Sequence, residues 1–218
     1  MSGFFGIFRP QGGPADLEAF EQMKTAMHRE GFDGMETHVE DKIAMGHLML
    51  RVSPESKYDK QPLKSSCGNY ILVGHFRLDY RDELGDKLGL TQVELKAIPD
   101  SELAMLAYMK WKEKCVHHLE GDWVFVLYNY IQNSVFGAKD KGGYSALFYT
   151  THNNIVYFSS DLNALIEAKI LPVQIDKNQL CRIGITGVEL TNGKTLYESI
   201  FHIKSANTIS VNSSIAIV

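Results

Sequence analysis

The 218-residue sequence has few cysteines, no long apolar run and no block of basic residues. Its three cysteines, Cys67, Cys115 and Cys181, are odd in number and far apart, so they predict neither a disulfide framework nor a metal site. No apolar stretch reaches the ~20 residues that a membrane-spanning helix needs. A formal net charge of −4 without a basic cluster argues against a nucleic-acid partner. We therefore expect a cytoplasmic protein that binds neither membrane nor nucleic acid.

Apolar residues make up 44% of the chain and charged residues 22%, which is typical of a folded globular protein. The pattern predicts one domain over residues 1–218, in which strands are followed by helices and then by strands in hairpins, with few βαβ crossovers. Such an order favours an α+β sandwich of antiparallel sheets with helices on its faces. The predicted strands are 1–8, 35–40, 42–52, 70–76, 122–130, 135–139, 146–150, 156–159, 208–211 and 215–218. The predicted helices are 14–29, 80–88, 100–115, 161–168 and 177–183.

The first eight residues read M-S-G-F-F-G-I-F, an apolar and aromatic stretch interrupted by glycine. This composition predicts a buried strand. A strand at the N-terminus places the α-amino group at the end of a sheet, where a free amine can act as general base for the side chain beside it. That chemistry is used by N-terminal-nucleophile hydrolases, and it makes Ser2 the candidate nucleophile.

Gly3, Gly6, Ile7 and Phe8 match the opening strand M-C-G-I-x-G-I/V-F of a known family, and residues 119–149 are similar to its L-x-G-x-F-A-F-A-L-Y/W-D segment and the continuation. The chain resembles the N-terminal glutaminase domains of asparagine synthetases, which are class II glutamine amidotransferases. The resemblance covers nearly the whole chain. It implies an N-terminal-nucleophile hydrolase fold, a sandwich of two antiparallel sheets with flanking helices, and an N-terminal position in a longer protein.

The family's nucleophile is the cysteine after the initiator methionine, and this chain has Ser2 there. In the family, an arginine of the G-H-x-R-L element holds the glutamine carboxylate with two hydrogen bonds. The matching position is Met49, whose thioether cannot bind a carboxylate. Arg51 is the alternative clamp, because two residues along a strand share one face at a distance of about 7 Å.

The family's N-G-E element supplies an asparagine to the oxyanion hole and groups that hold the substrate amine, and Val73, Gly74 and His75 match it. Val73 has no side-chain donor, and losing one oxyanion donor typically costs ~10²–10³ in rate. Asp100 matches the aspartate that binds the substrate amine. His75 is either a ligand or base on the central strand, or a core histidine with a structural role.

Residues 73–84 look more like a branch of asparagine synthetase homologues that form lasso-peptide macrolactams. Those enzymes activate a carboxylate with ATP and need no ammonia from glutamine. We therefore predict a glutaminase-like domain of an ATP-dependent amide-forming ligase, with a degenerate glutamine-hydrolysis site and a structural or substrate-docking role. The domain itself would need no cofactor or metal. ATP and magnesium would belong to its C-terminal synthetase domain, the expected partner.

Two alternatives stay open. In one, the chain is an active class II amidotransferase that supplies ammonia for asparagine or another amide, with Ser2 or a native cysteine as nucleophile. In the other, it is a stand-alone amidase with a different substrate. Glutamine and a peptide are both compatible substrates, and a homodimer is compatible with the sequence.

Overall fold

The two sheets predicted from the sequence are present in the computed structural model, which describes residues 2–27, 33–186, 193–212 and the backbone of 215–216. All strand pairs are antiparallel. The strands are β1 Gly3–Phe8, β2 Gly34–Val39, β3 Ile43–Met49, β4 Leu63–Lys64, β5 Tyr70–Leu78, β6 Gly121–Asn129, β7 Ser134–Lys139, β8 Phe148–His152, β9 Ile155–Ser159, β10 Phe201–His202, β11 Thr208–Val211 and β12 Ile215–Ala216. The first sheet has the strand order β10-β8-β9-β1-β3-β2 and the second β12-β11-β7-β6-β5-β4.

Most of the helices pack on the outer faces of the two sheets. The helices are α1 Leu17–Ala26, α2 Arg81–Leu88, α3 Gln92–Ala97, α4 Asp100–Trp111, α5 Leu162–Glu167 and α6 Lys177–Thr186, with 3-10 helices at Glu55–Tyr58 and Lys112–His117. None of the helices in the described ranges is long and apolar enough to cross a membrane. The α+β prediction, with two antiparallel sheets and flanking helices, is confirmed.

Three apolar clusters hold these layers together. One lies between the sheets, a second lies between the second sheet and helices α2 to α4, and a third lies between the first sheet and helices α1 and α5. Strand β1 contributes to two of them, since Phe4 and Phe8 face the second sheet whereas Phe5 and Ile7 face the helices. All six residues of β1 are buried. The strand is therefore enclosed on both faces, as its apolar sequence predicts.

The hairpin turns follow the sequence prediction. Asn133, Asn153 and Asn154 all have positive φ angles, of 48°, 49° and 60°. Asparagine tolerates this left-handed backbone better than most residues, which is why it marks tight hairpin turns. The β6–β7 and β8–β9 hairpins thus form where the sequence indicates.

Several predicted bounds are wrong. The helix predicted over 14–29 begins at Leu17, behind the capping side chain of Asp16, and residues 28–32 lie outside the described ranges. The helix predicted over 100–115 is α-helical only to Trp111, and Pro99 rather than Asp100 or Ser101 occupies its N-cap position. Helix α3 and the short strands β4 and β10 were not predicted. A capping box between Thr91 and Glu94 is the sequence signal that marks the start of α3.

The close approach of β1 to its neighbours gives a stability test at Gly6. A Cβ atom there would lie 2.6 Å from the backbone oxygen of Ala44 and 2.4 Å from a ring carbon of Phe158. We expect Gly6→Ala to lower the free energy of unfolding by ~1–3 kcal/mol, because backbone cannot move aside cheaply. Urea denaturation measures the change.

The matched control is Gly184→Ala in the exposed last turn of α6, where a new Cβ would meet no described atom within 4 Å apart from the helix's own backbone. This variant should gain ~0.5–1 kcal/mol, since alanine is the better helix former. Equal effects of the two substitutions would contradict the packing described for β1.

Candidate functional site

Ser2 lies at the start of β1, half-buried, next to the end of β3. Its hydroxyl oxygen accepts a hydrogen bond from the backbone N–H of Leu50 at 3.1 Å and lies 3.3 Å from the Leu50 carbonyl oxygen, to which it donates. The pairing of Gly3 with Leu48 across β1 and β3 fixes this position. The hydroxyl of the candidate nucleophile is therefore already engaged as donor and as acceptor.

Met49 is the last residue of β3 and is 7% exposed. Because the strand ends there, the prediction that Arg51 continues along the same strand face is wrong. Arg51 is exposed, and its backbone N–H donates to a carboxylate oxygen of Asp33 at 2.7 Å. Met49 and Arg51 nevertheless border one cleft, so the position matched to the clamp and the alternative arginine lie in the same place.

This cleft has a volume of about 460 Å³ and opens between strands β2 and β3 and residues 59–62. We call it the β3 cleft. The lining residues that matter for its chemistry are His47, Met49, Arg51, Asp59, Lys60 and Gln61. Apolar and charged groups of both signs thus meet in one cleft.

Gly74, on the central strand β5, is bound on both of its backbone polar groups. Its N–H donates to the side-chain oxygen of Gln61 at 2.7 Å, and its carbonyl oxygen lies 3.1 Å from Nε2 of His47. A Cβ atom at this position would lie 2.5 Å from the backbone oxygen of Val124. The glycine is thus required by packing, and its N–H is not free to bind an oxyanion.

His47 borders the β3 cleft and was not among the candidate residues from the sequence, although it belongs to the matched G-H-x-R-L element. The side chain is 1% exposed. A carbonyl oxygen can only accept, so the bond to Gly74 assigns the ring proton to Nε2. Burial lowers the pKa of His47 to about 4, against smaller opposing effects of Asp59 and of the Gly74 bond. The ring is neutral at pH 7, and Nδ1 has no hydrogen-bond partner within the described part of the chain.

The other two residues matched to the N-G-E element have separate surroundings. Val73 is completely buried in the apolar cluster between the sheets, where it has a packing role. His75 is partly buried, and burial lowers the pKa of its imidazole. It is close enough to His47 to contribute to the lowered pKa there. His75 thus lies beside the site, whereas Val73 belongs to the core.

Asp100, the first residue of α4, is held by other protein groups. One carboxylate oxygen accepts from the backbone N–H of Leu78 at 2.8 Å, and the other forms an ion pair with Arg81. The same guanidinium donates to the carbonyl oxygens of Leu95 and Ile98, each at 2.9 Å. The side chains of Arg81 and Asp100 are only 18% and 13% exposed. Sequence matching found the aspartate but not the arginine that neutralises it.

A chain of hydrogen bonds connects the start of α4 with the β3 cleft. The hydroxyl of Ser101 donates to one carboxylate oxygen of Asp59 at 2.6 Å, and the side-chain amide of Gln61 donates to the other at 2.9 Å. Gln61 in turn holds Gly74. The predicted site residues are therefore gathered at one end of the sandwich, except Val73, which lies in the core between the sheets.

Comparisons with known proteins agree with this architecture. A family model described as a glutamine amidotransferase domain matches residues 1–216. The glutamine-hydrolyzing asparagine synthetase 3 of Bacillus subtilis (strain 168) is 23% identical over 197 residues, covering 89% of this chain and 32% of that protein. The chain spans about a third of the length of the first curated relatives it matches.

Two solved structures show the same fold. One, described as the allosteric regulatory enzyme of purine biosynthesis, has a TM-score of 0.62 and 15% sequence identity. The match covers 99% of this chain and 50% of the chain in that structure. The other, the glutamine phosphoribosylpyrophosphate amidotransferase from B. subtilis, has a TM-score of 0.56 and 16% identity, with the same coverage. The N-terminal-nucleophile hydrolase fold implied by the sequence is therefore confirmed.

The buried neutral His47 predicts how stability depends on pH. In the unfolded chain its pKa is near 6.5, and folding lowers it to about 4. The unfolded state therefore binds more protons between these values, so its contribution is complete above pH 6.5 and is lost as the pH falls towards 4. We expect roughly 3 kcal/mol to be lost across this window, measured by urea denaturation at several pH values.

His47→Gln is the control, since it keeps a donor towards Gly74 but does not titrate. Its stability should vary less with pH than that of the wild type over the same window. His75 contributes a dependence of the same sign to both proteins, so the difference isolates His47. Identical pH profiles would contradict the assignment of a neutral, buried ring.

Proposed function

Since the chain belongs to the family of glutamine amidotransferase domains, we propose that it is the glutaminase-like domain of an asparagine-synthetase-related, ATP-dependent amide ligase whose glutamine-hydrolysis site is degenerate. Glutamine hydrolysis needs a cationic group for the substrate carboxylate, an acid for its amine, an activated nucleophile and an oxyanion hole. Each of these needs can be compared with a described residue.

The observation that carries the proposal is the ion pair between Arg81 and Asp100. Asp100 is the one matched position that retains a charged side chain for the substrate amine. Its charge is balanced by Arg81, and its remaining oxygen accepts from the backbone of Leu78. A substrate ammonium would have to share this carboxylate with the guanidinium, and displacing the guanidinium altogether would break a buried ion pair, which typically costs ~3–5 kcal/mol. The charge of the acid is therefore already balanced before any substrate arrives.

The carboxylate clamp is also absent from its position. Met49 replaces the arginine and is buried, so it gives the cleft an apolar wall. Arg51 borders the cleft but lies beyond the end of β3. An exposed guanidinium is held less firmly than one on a strand, and salt and water screen its attraction for a carboxylate. A zwitterionic amino acid thus finds neither of its two charged partners in place.

Ser2 and Gly74 complete the proposal. A serine hydroxyl is a weak nucleophile unless a base takes its proton. Here the hydroxyl donates its hydrogen bond to the backbone carbonyl of Leu50, which is not a base. The N–H of Gly74 is used by Gln61, and Val73 has no side-chain donor. Neither activation nor oxyanion stabilisation is supported by the contacts of these residues.

The remaining role is structural or substrate-docking. The relatives are about three times as long as this chain, which supports a fused synthetase domain that would hold ATP and magnesium. We place the parent protein among ligases that deliver an amine already present in the substrate, as in the lasso-peptide macrolactam branch. Such an enzyme needs no ammonia from glutamine, and its location would be the cytoplasm.

The alternative is an active glutaminase with Ser2 as nucleophile. One observation favours it: Ser2 lies at the first position before β1, next to β3, where an N-terminal nucleophile is expected. Activity would then require Arg51 to hold the carboxylate and Asp100 to exchange its partner. Ammonia release distinguishes the two functions.

We therefore expect no ammonia release from L-glutamine above the protein-free background, either by the wild type or by Ser2→Cys. Removal of Met1 is verified by intact mass, because the nucleophile needs the free amine. The Cys variant supplies the better nucleophile, so it separates a lost thiol from a lost pocket. Ser2→Ala is the matched negative control. Release by Ser2→Cys alone would show a pocket that still binds glutamine and would contradict the proposal.

A further inference from the structure

A second cleft lies at the opposite end of the second sheet from the candidate site. It has a volume of about 420 Å³ and is lined by residues from the end of α4, the following 3-10 helix, the start of β5 and the end of β6. We call it the α4 cleft. Tyr70 lines it at the start of β5, whereas Leu78, which binds Asp100, ends that strand. Eight residues of strand place roughly 26 Å between the two, so the α4 cleft is distinct from the β3 cleft.

Tyr108 brings an unused hydroxyl to the α4 cleft. The residue is 4% exposed, and its ring packs against Tyr70 and Phe136 at centroid distances of 5.4 and 5.7 Å. Among the described residues, none forms a hydrogen bond with its hydroxyl, and burial raises the pKa of the phenol, which therefore keeps its proton at pH 7. Within those residues, Nδ1 of His47 is the one side-chain atom that is both closed to solvent and unpartnered. The Tyr108 hydroxyl thus keeps accessible surface and is a free donor in the cleft.

Lys112 brings a positive charge to the same place. Its Nζ donates to the hydroxyl oxygen of Tyr70 at 2.9 Å and to the carbonyl oxygen of Met109 at 3.1 Å. Both acceptors are neutral, and no carboxylate in the described ranges forms an ion pair with this nitrogen. An ammonium group has three N–H donors, so one donor and the whole charge remain for a ligand.

The backbone of Lys112 is strained as well. Its φ of 55° and ψ of −137° lie in a sparsely populated region for a residue with a side chain. Such conformations persist where the surrounding structure enforces them, and they cluster at binding and catalytic positions. The strain therefore supports a binding role for this lysine.

The rest of the lining combines an aromatic wall with charged groups. Trp111 forms the wall and is stacked on His118 at a centroid distance of 4.0 Å. Lys114 and Glu113 also line the cleft, and one carboxylate oxygen of Glu113 accepts from the hydroxyl of Ser210 at 3.2 Å. Two lysines thus face one acid that is already partly engaged. The cleft carries a net positive charge next to an aromatic surface.

We propose that the α4 cleft binds a small aromatic carboxylate, which accepts hydrogen bonds from Nζ of Lys112 and the hydroxyl of Tyr108 while its ring packs against Trp111. A carboxylate has two oxygens, one for each of these donors. A cationic ligand would be repelled by the two lysines, and a neutral one would leave the ammonium charge unbalanced. The volume lies within the ~300–1,000 Å³ of small-molecule sites. The inference does not rest on the proposed function.

The probe is phenylacetate, titrated into the 218-residue chain labelled with ¹⁵N-tryptophan, and the indole N–H resonances are followed by NMR. The chain has two tryptophans. Trp123 is 3% exposed and donates its indole N–H to the carbonyl oxygen of Leu119, so it is an internal control. We expect the Trp111 resonance to move saturably while that of Trp123 stays in place. Phenylacetamide, the neutral analogue, should bind about fivefold more weakly.

Three variants separate the two donors from the fold. Tyr108→Phe removes a hydroxyl without a described protein partner, so stability in urea should be unchanged while phenylacetate binds about fivefold more weakly. Lys112→Gln removes the charge and should also weaken binding about fivefold. Lys110→Gln is the matched control, because its Nζ lies 5.3 Å from the centroid of the Trp111 ring although the residue does not line the cleft. It should stay within about twofold of the wild type.

Several results would overturn the inference. A Trp111 resonance that does not move saturably with phenylacetate would remove the site. Equal affinities for phenylacetate and phenylacetamide would remove the carboxylate from the account, and acetate binding as tightly as phenylacetate would remove the ring. Wild-type affinity in Tyr108→Phe, or equal losses in Lys110→Gln and Lys112→Gln, would reduce the attraction to general surface charge. Ammonia release from glutamine tests the proposed function alone, so the two can fail separately.

Discussion

The enclosure of β1 is the constraint on which the rest of the molecule depends. The strand pairs with β3 on one side and β9 on the other, and its two faces lie in different apolar clusters. A strand held in this way can neither shift in register nor tilt without exposing apolar side chains to water. Ser2 therefore has a fixed position beside Leu50, and the end of β3 has a fixed position beside the central strand β5. The site is assembled by the core rather than by its own interactions.

At that end of the sandwich, polar groups are satisfied by one another. Arg81 balances Asp100, Gln61 binds the N–H of Gly74, and the backbone of Leu50 binds Ser2. An incoming amino acid would have to replace these bonds, and each buried group left unpaired on the way costs ~1–3 kcal/mol. Together these costs approach the whole binding free energy of a millimolar ligand, about 4 kcal/mol. On the proposed function, a stable domain and a weak glutamine site thus follow from the same hydrogen bonds.

The sequence predicts the fold well because the signals are local. Alternating apolar strands and the asparagine turns at Asn133 and Asn153 give the hairpins, and the N-terminal motif gives the family. The contacts at the candidate site are less predictable, because they join residues distant in sequence: Arg81 with Asp100, and His47 with Gly74. No local pattern marks these pairs. The prediction that Arg51 lies on the face of β3 fails for the same reason. The apolar pattern continues to residue 52, and only the tertiary structure shows that β3 ends at Met49.

Affinity for glutamine tests the central claim most directly, because it does not depend on the nucleophile. L-glutamine is titrated into the domain, with Met1 removed, while protein amide resonances are followed by NMR. We predict no saturation at concentrations up to about 10 mM, which corresponds to a binding free energy weaker than about 3 kcal/mol. Saturable binding below 1 mM, with shifts at Asp100 and around the β3 cleft, would contradict a degenerate site. It would mean that this domain keeps a functional glutamine-binding site.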